Sequence, residues 1–201
     1  MKEAAIIVAH PDDEIIWCGG MILQNPTWDW TVLSLCRESD PDRHPKFRAV
    51  CDSLDVAGYI FDADDGNPLK AIDMPRQIGR KIRDVLSWTD WDLILTHGPG
   101  GEYGHPRHID VHNEVLRLAE LGMLRCQELW TFAYHCDPRT GECLALSDAD
   151  VVVSLTPAQL AEKQWIIRQQ YGYARDSFEV RACISPEAFH RHRLTWEGEQ
   201  A

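Results

Sequence analysis

The apolar run Ala4-Ala5-Ile6-Ile7-Val8-Ala9 ends abruptly in His10-Pro11-Asp12-Asp13-Glu14, and an apolar pattern resumes at Ile15. An unbroken run of this kind reads as a buried strand, and Pro11 onward reads as the first turn of a helix. A strand buried on both faces requires a sheet covered by helices on both sides. In open α/β sheets, ligands bind outside the carboxyl ends of the strands, which is where this charge cluster falls. Folding alone asks for no such concentration of carboxylates there.

The same alternation continues along the chain. Strands are predicted over 31–36, 58–62, 92–97, 129–135 and 151–155. Helices are predicted over 12–24, 46–56, 71–88, 106–121 and 157–171, the last with Thr156 as N-cap and Pro157 at its first position. Strand and helix in alternation predict a mostly parallel sheet in a doubly wound, three-layer α/β/α arrangement. With no repeat or linker-like tract, 1–201 reads as a single domain. A dinucleotide-binding version would need a GxGxxG turn after the first strand. Here His10-Pro11-Asp12-Asp13 fills that turn with charges that repel phosphate, which disfavours nucleotide binding.

Composition narrows the field further. A formal charge of −12 argues against nucleic-acid binding and against docking on anionic lipid. No apolar run reaches the length of a membrane span, and Met1-Lys2-Glu3 leads straight into a strand rather than a signal peptide. A cytoplasmic location without membrane insertion is expected. The seven cysteines include no CxxC, so a thiolate zinc site is not expected. They read as reduced and mostly buried, with Cys143 a candidate surface thiol.

A second segment, His97-Gly98-Pro99-Gly100-Gly101-Glu102-Tyr103-Gly104-His105-Pro106-Arg107-His108, also follows a predicted strand. Pro106 suits the first helical position, which makes His105 the N-cap and places His108 in the first turn. The positive end of a helix dipole keeps nearby imidazoles neutral, the form that binds metal. Together the two loops offer His10, Asp12, Asp13, His105 and His108 at one rim. Two histidines and one carboxylate make a catalytic zinc set with a position left for water, and a second carboxylate supplies a general base. Taken alone, the acids of the first loop could simply stabilise a helix start by about 0.3–1 kcal/mol, and HxxH is common on helix faces. The pairing of complementary ligands at two strand ends is what points to metal.

These residues resemble the PIG-L/LmbE-like family of zinc-dependent N-acetylglucosaminyl deacetylases. The match rests on Ala9-His10-Pro11-Asp12-Asp13-Glu14 and on Gly101-Glu102-Tyr103-Gly104-His105-Pro106-Arg107-His108, in this order. The resemblance implies a Rossmann-like fold, one Zn(2+) per chain (with Fe(2+) or another divalent metal the alternative) and hydrolysis of an N-acetyl amide on an amino sugar. It further implies His10, Asp13 and His108 as metal ligands and Asp12 as general base. By the same resemblance His105 and Tyr103 stabilise the oxyanion, and Arg43 binds substrate. Its partners would be a small-molecule amino sugar and, as in many members, further copies of the chain. Three departures stand out. Arg107 takes the place of an aspartate between the histidines, which passes any carboxylate tuning of His105 to Asp110. Tyr171-Gly172-Tyr173-Ala174 replaces a Tyr-x-Ser-Gln pattern, and Lys46 stands near a frequent glutamate. Other readings are the same site acting on a different acylated amine, or a metal-binding domain without turnover.

The remaining residues carry weaker signals. Glu14 reads as a first-turn acid capping backbone N–H groups. His112 reads as a packed histidine, while His97, His135 and His44 either line the pocket or bond to neighbouring loops. His190 and His192 read as surface residues. Trp17, Trp88, Trp91, Trp130 and Trp165 fall in element patterns and are expected in the core, with Trp28 and Trp30 beside a turn. The acidic run from Asp62 to Asp65 is expected to be a solvated loop or a contact for substrate hydroxyls.

Overall fold

The structure, a computed structural model, describes residues 1–66, 74–137 and 139–193. Strand β1 (Glu3–Val8) lies in the middle of a seven-stranded sheet. Beside it on one side run β2 (Asp29–Ser34) and β3 (Ala57–Ile60), on the other β4 (Trp91–Thr96) and β5 (Cys126–Phe132). These five strands are parallel, with Ile6 opposite Val32 on one neighbour and Leu95 on the other. Two further strands, β8 (Val151–Val153) and β9 (Glu187–His192), complete the order β3-β2-β1-β4-β5-β9-β8, and β9 runs antiparallel to both its neighbours. A separate hairpin joins β6 (Tyr134–Asp137) to β7 (Glu142–Ala145).

Alternation along the strands builds two cores. Ala4, Ile6 and Val8 face one side with Leu93 and Leu95, under helices α1 (Asp13–Gln24) and α2 (Arg43–Leu54) and the C-terminal segments. Ala5, Ile7 and Ala9 face the other with Ile94, under α3 (Met74–Leu86) and α5 (Pro106–Glu120). The three-layer α/β reading therefore holds. A short turn of helix, α4 (Gly101–Gly104), precedes α5. Helix α6 (Pro157–Trp165) starts at the expected N-cap Thr156, which forms a capping box with Gln159, then widens into a π-helical stretch, Ile166–Gln170. Helix α7 (Phe178–Ala182) follows.

Several expectations need correction. The strand expected over 129–135 breaks at Ala133, where the chain leaves the sheet for the hairpin. Residues 71–73 of the helix expected over 71–88 lie outside the described residues. Cys136 and Cys143 form a disulfide across that hairpin, and Cys143 is buried rather than a surface thiol. Trp88 is 87% exposed and Trp165 48% exposed, so neither belongs to the core, whereas Trp17 is fully buried. His190 and His192 lie on β9 rather than on a free surface; His192 Nε2 sits 2.9 Å from Thr131 Oγ1. No helix among the described residues is long and apolar enough to cross a membrane.

Candidate metal centre and active site

Strands β1 and β4 are neighbours whose following loops diverge, since the chain goes from β1 to β2 on one side and from β4 to β5 on the other. This is the topological switch point, where an open parallel sheet leaves a crevice. The loop after β1 carries His10 to Asp13, and the loop after β4 carries His97 to His108. A buried hydrogen bond joins them: Ala9 N–H donates to His97 Nε2 at 2.9 Å. Gly98 makes the second loop passable, because a Cβ there would lie 2.3 Å from the Phe132 carbonyl oxygen.

Three atoms able to ligate a cation meet in this crevice. His10 Nδ1 lies 3.3 Å from Asp13 Oδ2 and 3.3 Å from His108 Nε2, and His108 Nε2 lies 3.4 Å from Asp13 Oδ2. Neighbours fix the opposite atom of each group. His10 Nε2 bonds to Asp65 Oδ1 at 2.8 Å, His108 Nδ1 to Glu102 Oε2 at 2.6 Å, and Trp17 Nε1 donates to Asp13 Oδ1 at 2.9 Å. Those bonds assign the ring protons of the neutral imidazoles to the outer nitrogens, so the inner lone pairs converge on the carboxylate oxygen. Ligand bonds of 2.0–2.2 Å in a tetrahedral site put ligand atoms about 3.3–3.6 Å apart. The triangle fits a small divalent ion.

The electrostatics ask for positive charge at the same point. Burial opposes charge on His10, yet Asp13 and Asp65 raise its pKa to about 10, so a divalent ion taken up at Nδ1 would displace a ring proton from it. Burial likewise works against ionised Asp13, but the histidines around it, His108 first among them, hold it well below the usual carboxylate range. Burial lowers His108, which favours the neutral imidazole a metal requires.

His97 also comes close, 3.5 Å from Asp13 Oδ2, and stacks on His108 at 3.8 Å between ring centroids. Both its nitrogens are engaged, one by Ala9 N–H and the other by Glu102 Oε2 at 2.9 Å. It is a support for the loop rather than a ligand. Glu102 accepts from His97, from His108 and from the Gly98 N–H, and these partners outweigh burial to bring its pKa to about 2.

Asp12 points elsewhere. Arg43 Nη1 donates to its Oδ2 at 2.6 Å, and the Tyr173 hydroxyl donates to the same oxygen. The other oxygen is left for a proton. Burial, followed by repulsion from Asp13, raises the Asp12 pKa to about 7 against the pull of Arg43. His105 is the N-cap of α5, as expected, and its Nδ1 accepts the Arg107 N–H at 3.2 Å. Its Nε2–H is thus the outward donor. Burial and the neighbouring His108 and His10 lower its pKa to about 4. Asp110 does not tune it, because that carboxylate is bound to Arg107 at 2.5 Å. Tyr103 packs edge-on against His105, with ring centroids 5.6 Å apart, and lines the same cleft of about 330 Å³ with Arg43, Tyr173, Phe178 and Glu179.

The fold thus brings His10, Asp12, Asp13, Tyr103, His105, His108 and Arg43 to one cleft. His112 packs beneath it, Nδ1 bonded to the His97 carbonyl at 2.8 Å. His44 bonds to the Glu38 carbonyl at 2.9 Å. Sequence reasoning missed the orienting roles of Glu102 and Asp65, His97 takes the loop-bonding one of its two expected roles, and Tyr173 was named only as a departure from the family pattern. Asp65 had a visible signal, since it closes the acidic run after a strand that ends on this rim. Tyr173 had none, because the π-helical stretch that delivers it leaves no apolar period to read.

A three-layer fold with two imidazoles and a carboxylate gathered at its switch point defines a class of α/β proteins built to hold a divalent ion. Residues 5–119 match the family model described as PIG-L, GlcNAc-PI de-N-acetylase, and the chain belongs to that family. Among curated relatives it is 27% identical over 153 residues to the 1D-myo-inositol 2-acetamido-2-deoxy-alpha-D-glucopyranoside deacetylase of Corynebacterium diphtheriae, covering 59% of this chain and 52% of that one. The chain therefore spans about half the length of that relative. Its fold is similar to that of an N,N'-diacetylchitobiose deacetylase from Pyrococcus horikoshii (TM-score 0.70, 15% identity, 95% of this chain and 84% of that one). It is also similar to a 4-carboxy-2-hydroxymuconate hydratase from Pseudomonas putida KT2440 (TM-score 0.65, 15% identity, 100% of each chain). One fold serves both chemistries, so the argument for activity rests on the site.

Proposed function

We propose that this chain is a zinc-dependent deacetylase that hydrolyses the N-acetyl amide of an N-acetylglucosamine-containing small molecule or glycoside. The observation that carries the reading is the triangle of His10 Nδ1, Asp13 Oδ2 and His108 Nε2, with sides of 3.3, 3.3 and 3.4 Å. These three residues would hold the ion, Zn(2+) or Fe(2+). When bound, it supplies Lewis acidity and makes water acidic enough to give up a proton near neutral pH.

The chain's own residues supply the rest. Asp12, held at Oδ2 by Arg43 and Tyr173, accepts the proton of the attacking water at its other oxygen. His105 offers Nε2–H to the acetyl oxygen as negative charge develops there, and the Tyr103 hydroxyl reaches into the same cleft. Proton return to the leaving amine falls to Asp12 or His105, the two groups beside the reacting atoms. Arg43 orients Asp12 and lines the cleft that a sugar would enter. A cleft of about 330 Å³ is at the small end for ligand pockets and suits one sugar ring. The chain is proposed to act as one folded unit.

Metal analysis coupled to an amine-release assay tests the reading. Stoichiometric divalent metal with amine release from N-acetylglucosamine derivatives supports it. Stoichiometric metal with no hydrolysis across N-acetyl sugars and other amides would replace it with a metal-binding role.

A further inference from the structure

Asp12 stands at the N-cap position of α1 with φ 113° and ψ −30°, a backbone conformation that non-glycine residues rarely adopt. An acid at an N-cap normally turns its carboxylate back onto the first N–H groups of its own helix. Asp12 makes no such bond. Its carboxylate is turned into the cleft toward Arg43 and Tyr173, and its own N–H is capped instead: Glu14 Oε2 accepts it at 2.9 Å.

Glu14 is almost wholly buried, 1% exposed. Its other oxygen accepts the Tyr171 hydroxyl at 2.5 Å, and among the described residues no cation pairs with it. A buried carboxyl group with no counter-charge among the described residues is costly to the fold, which marks a specific demand for its acceptors. Tyr171 arrives from the end of the π-helical stretch, where its N–H bonds to the Ile166 carbonyl. Such widened turns recur at functional sites.

Resting on the deacetylase reading for its kinetic consequence, we infer that Glu14 and Tyr171 are positioning residues. They hold the Asp12 backbone in its strained form and so aim the general base at the reacting water. One Glu14 oxygen accepts the Asp12 N–H and the other the Tyr171 O–H, so the side chain joins the two. The π-helical stretch thereby links the C-terminal half of the chain to the catalytic carboxylate.

Crystal structures and kinetics of Glu14→Met, Tyr171→Phe and Glu14→Gln test this. In the first two variants the Asp12 φ should leave the positive range and Oδ2 should lose Arg43. Glu14→Gln, which keeps an acceptor for the Asp12 N–H, should retain the wild-type conformation. Turnover should fall on the order of 10²-fold in Glu14→Met, the usual cost of displacing a reacting group by about 1 Å, with KM and bound metal unchanged. In an Asp12→Ala background Glu14→Met should cause no further loss. An unchanged Asp12 φ in both disruptive variants overturns the inference whatever the activity, and so does an equal loss in both backgrounds. Wild-type protein that releases no amine would defeat the deacetylase reading alone, since the conformational arm still decides the clamp.

Discussion

Glu102 Oε2 lies 2.6 Å from His108 Nδ1, so a buried carboxylate fixes the ring whose other nitrogen faces His10 and Asp13. Glu102 itself has φ 57°, in the left-handed region, and no side chain is placed there without surrounding constraint. Carboxylate partners of this kind orient a ligating imidazole and raise its basicity, and losing them costs about 10–100-fold in metal affinity. Glu102→Gln should therefore bind zinc 10–100-fold more weakly by chelator competition. Equal affinity would show that Glu102 serves the loop and not the ligand.

Asp12 and His108 should separate under mutation. Asp12 lies outside the ligand triangle, so Asp12→Ala should keep its metal while turnover drops by about 10²–10⁴-fold, the range for loss of a general base. His108 supplies one corner of the triangle, so His108→Ala should lose metal and activity together. Metal content and amine release measured on the same preparations give the answer. An Asp12→Ala variant with normal turnover would remove Asp12 from the chemistry.

The parallel half of the sheet was legible because its strands are continuous apolar runs, and Ile6, Val32 and Leu95 pair in adjacent strands as that pattern demands. Both ligand loops were legible for the same reason: each follows such a run. Strand β9 was not, since Glu187-Ala188-Phe189-His190-Arg191-His192 mixes charge with apolar residues. Its Glu187 is buried for a partner on a distant helix, which a local pattern does not show. Trp165 misled for the converse reason, because an aromatic in a helical pattern need not fall on its buried face, and Trp88 misled because α3 ends at Leu86, before it. In the site, residue types pointed to the members of the His10–Asp13–His108 triangle, while the places of Glu102 and Tyr173 emerge only from their hydrogen bonds.

Lys163 and Glu187 form a fully buried ion pair at 2.6 Å. Glu187 also accepts the N–H groups of Gly20 at 2.7 Å and Met21 at 2.9 Å, just past the non-helical Cys18 that breaks α1. Removing Lys163 leaves a desolvated carboxylate without its counter-charge, a change that costs about 3–5 kcal/mol. Lys163→Met should lose that much in a denaturant titration. Arg125→Met, which removes a pair exposed on both sides, should lose about 0–1 kcal/mol. Similar losses at the two positions would mean that the buried pair is solvated in solution.

The cysteines offer a test that needs no substrate. Of seven in the chain, Cys136 and Cys143 are bonded and Cys18, Cys36, Cys51, Cys126 and Cys183 are free and buried. Burial pushes the thiols of Cys126 and Cys183 up to about 12, and it raises Cys18, Cys36 and Cys51 as well. The thiolate is the reactive form, so the native protein should hardly react with a thiol reagent at neutral pH. Unfolding in denaturant without reductant should release five thiols, and adding reductant should bring the count to the chain's seven. Seven thiols before reduction would show the hairpin cysteines to be unbonded. Fast reaction of the folded protein would place at least one free cysteine at the surface.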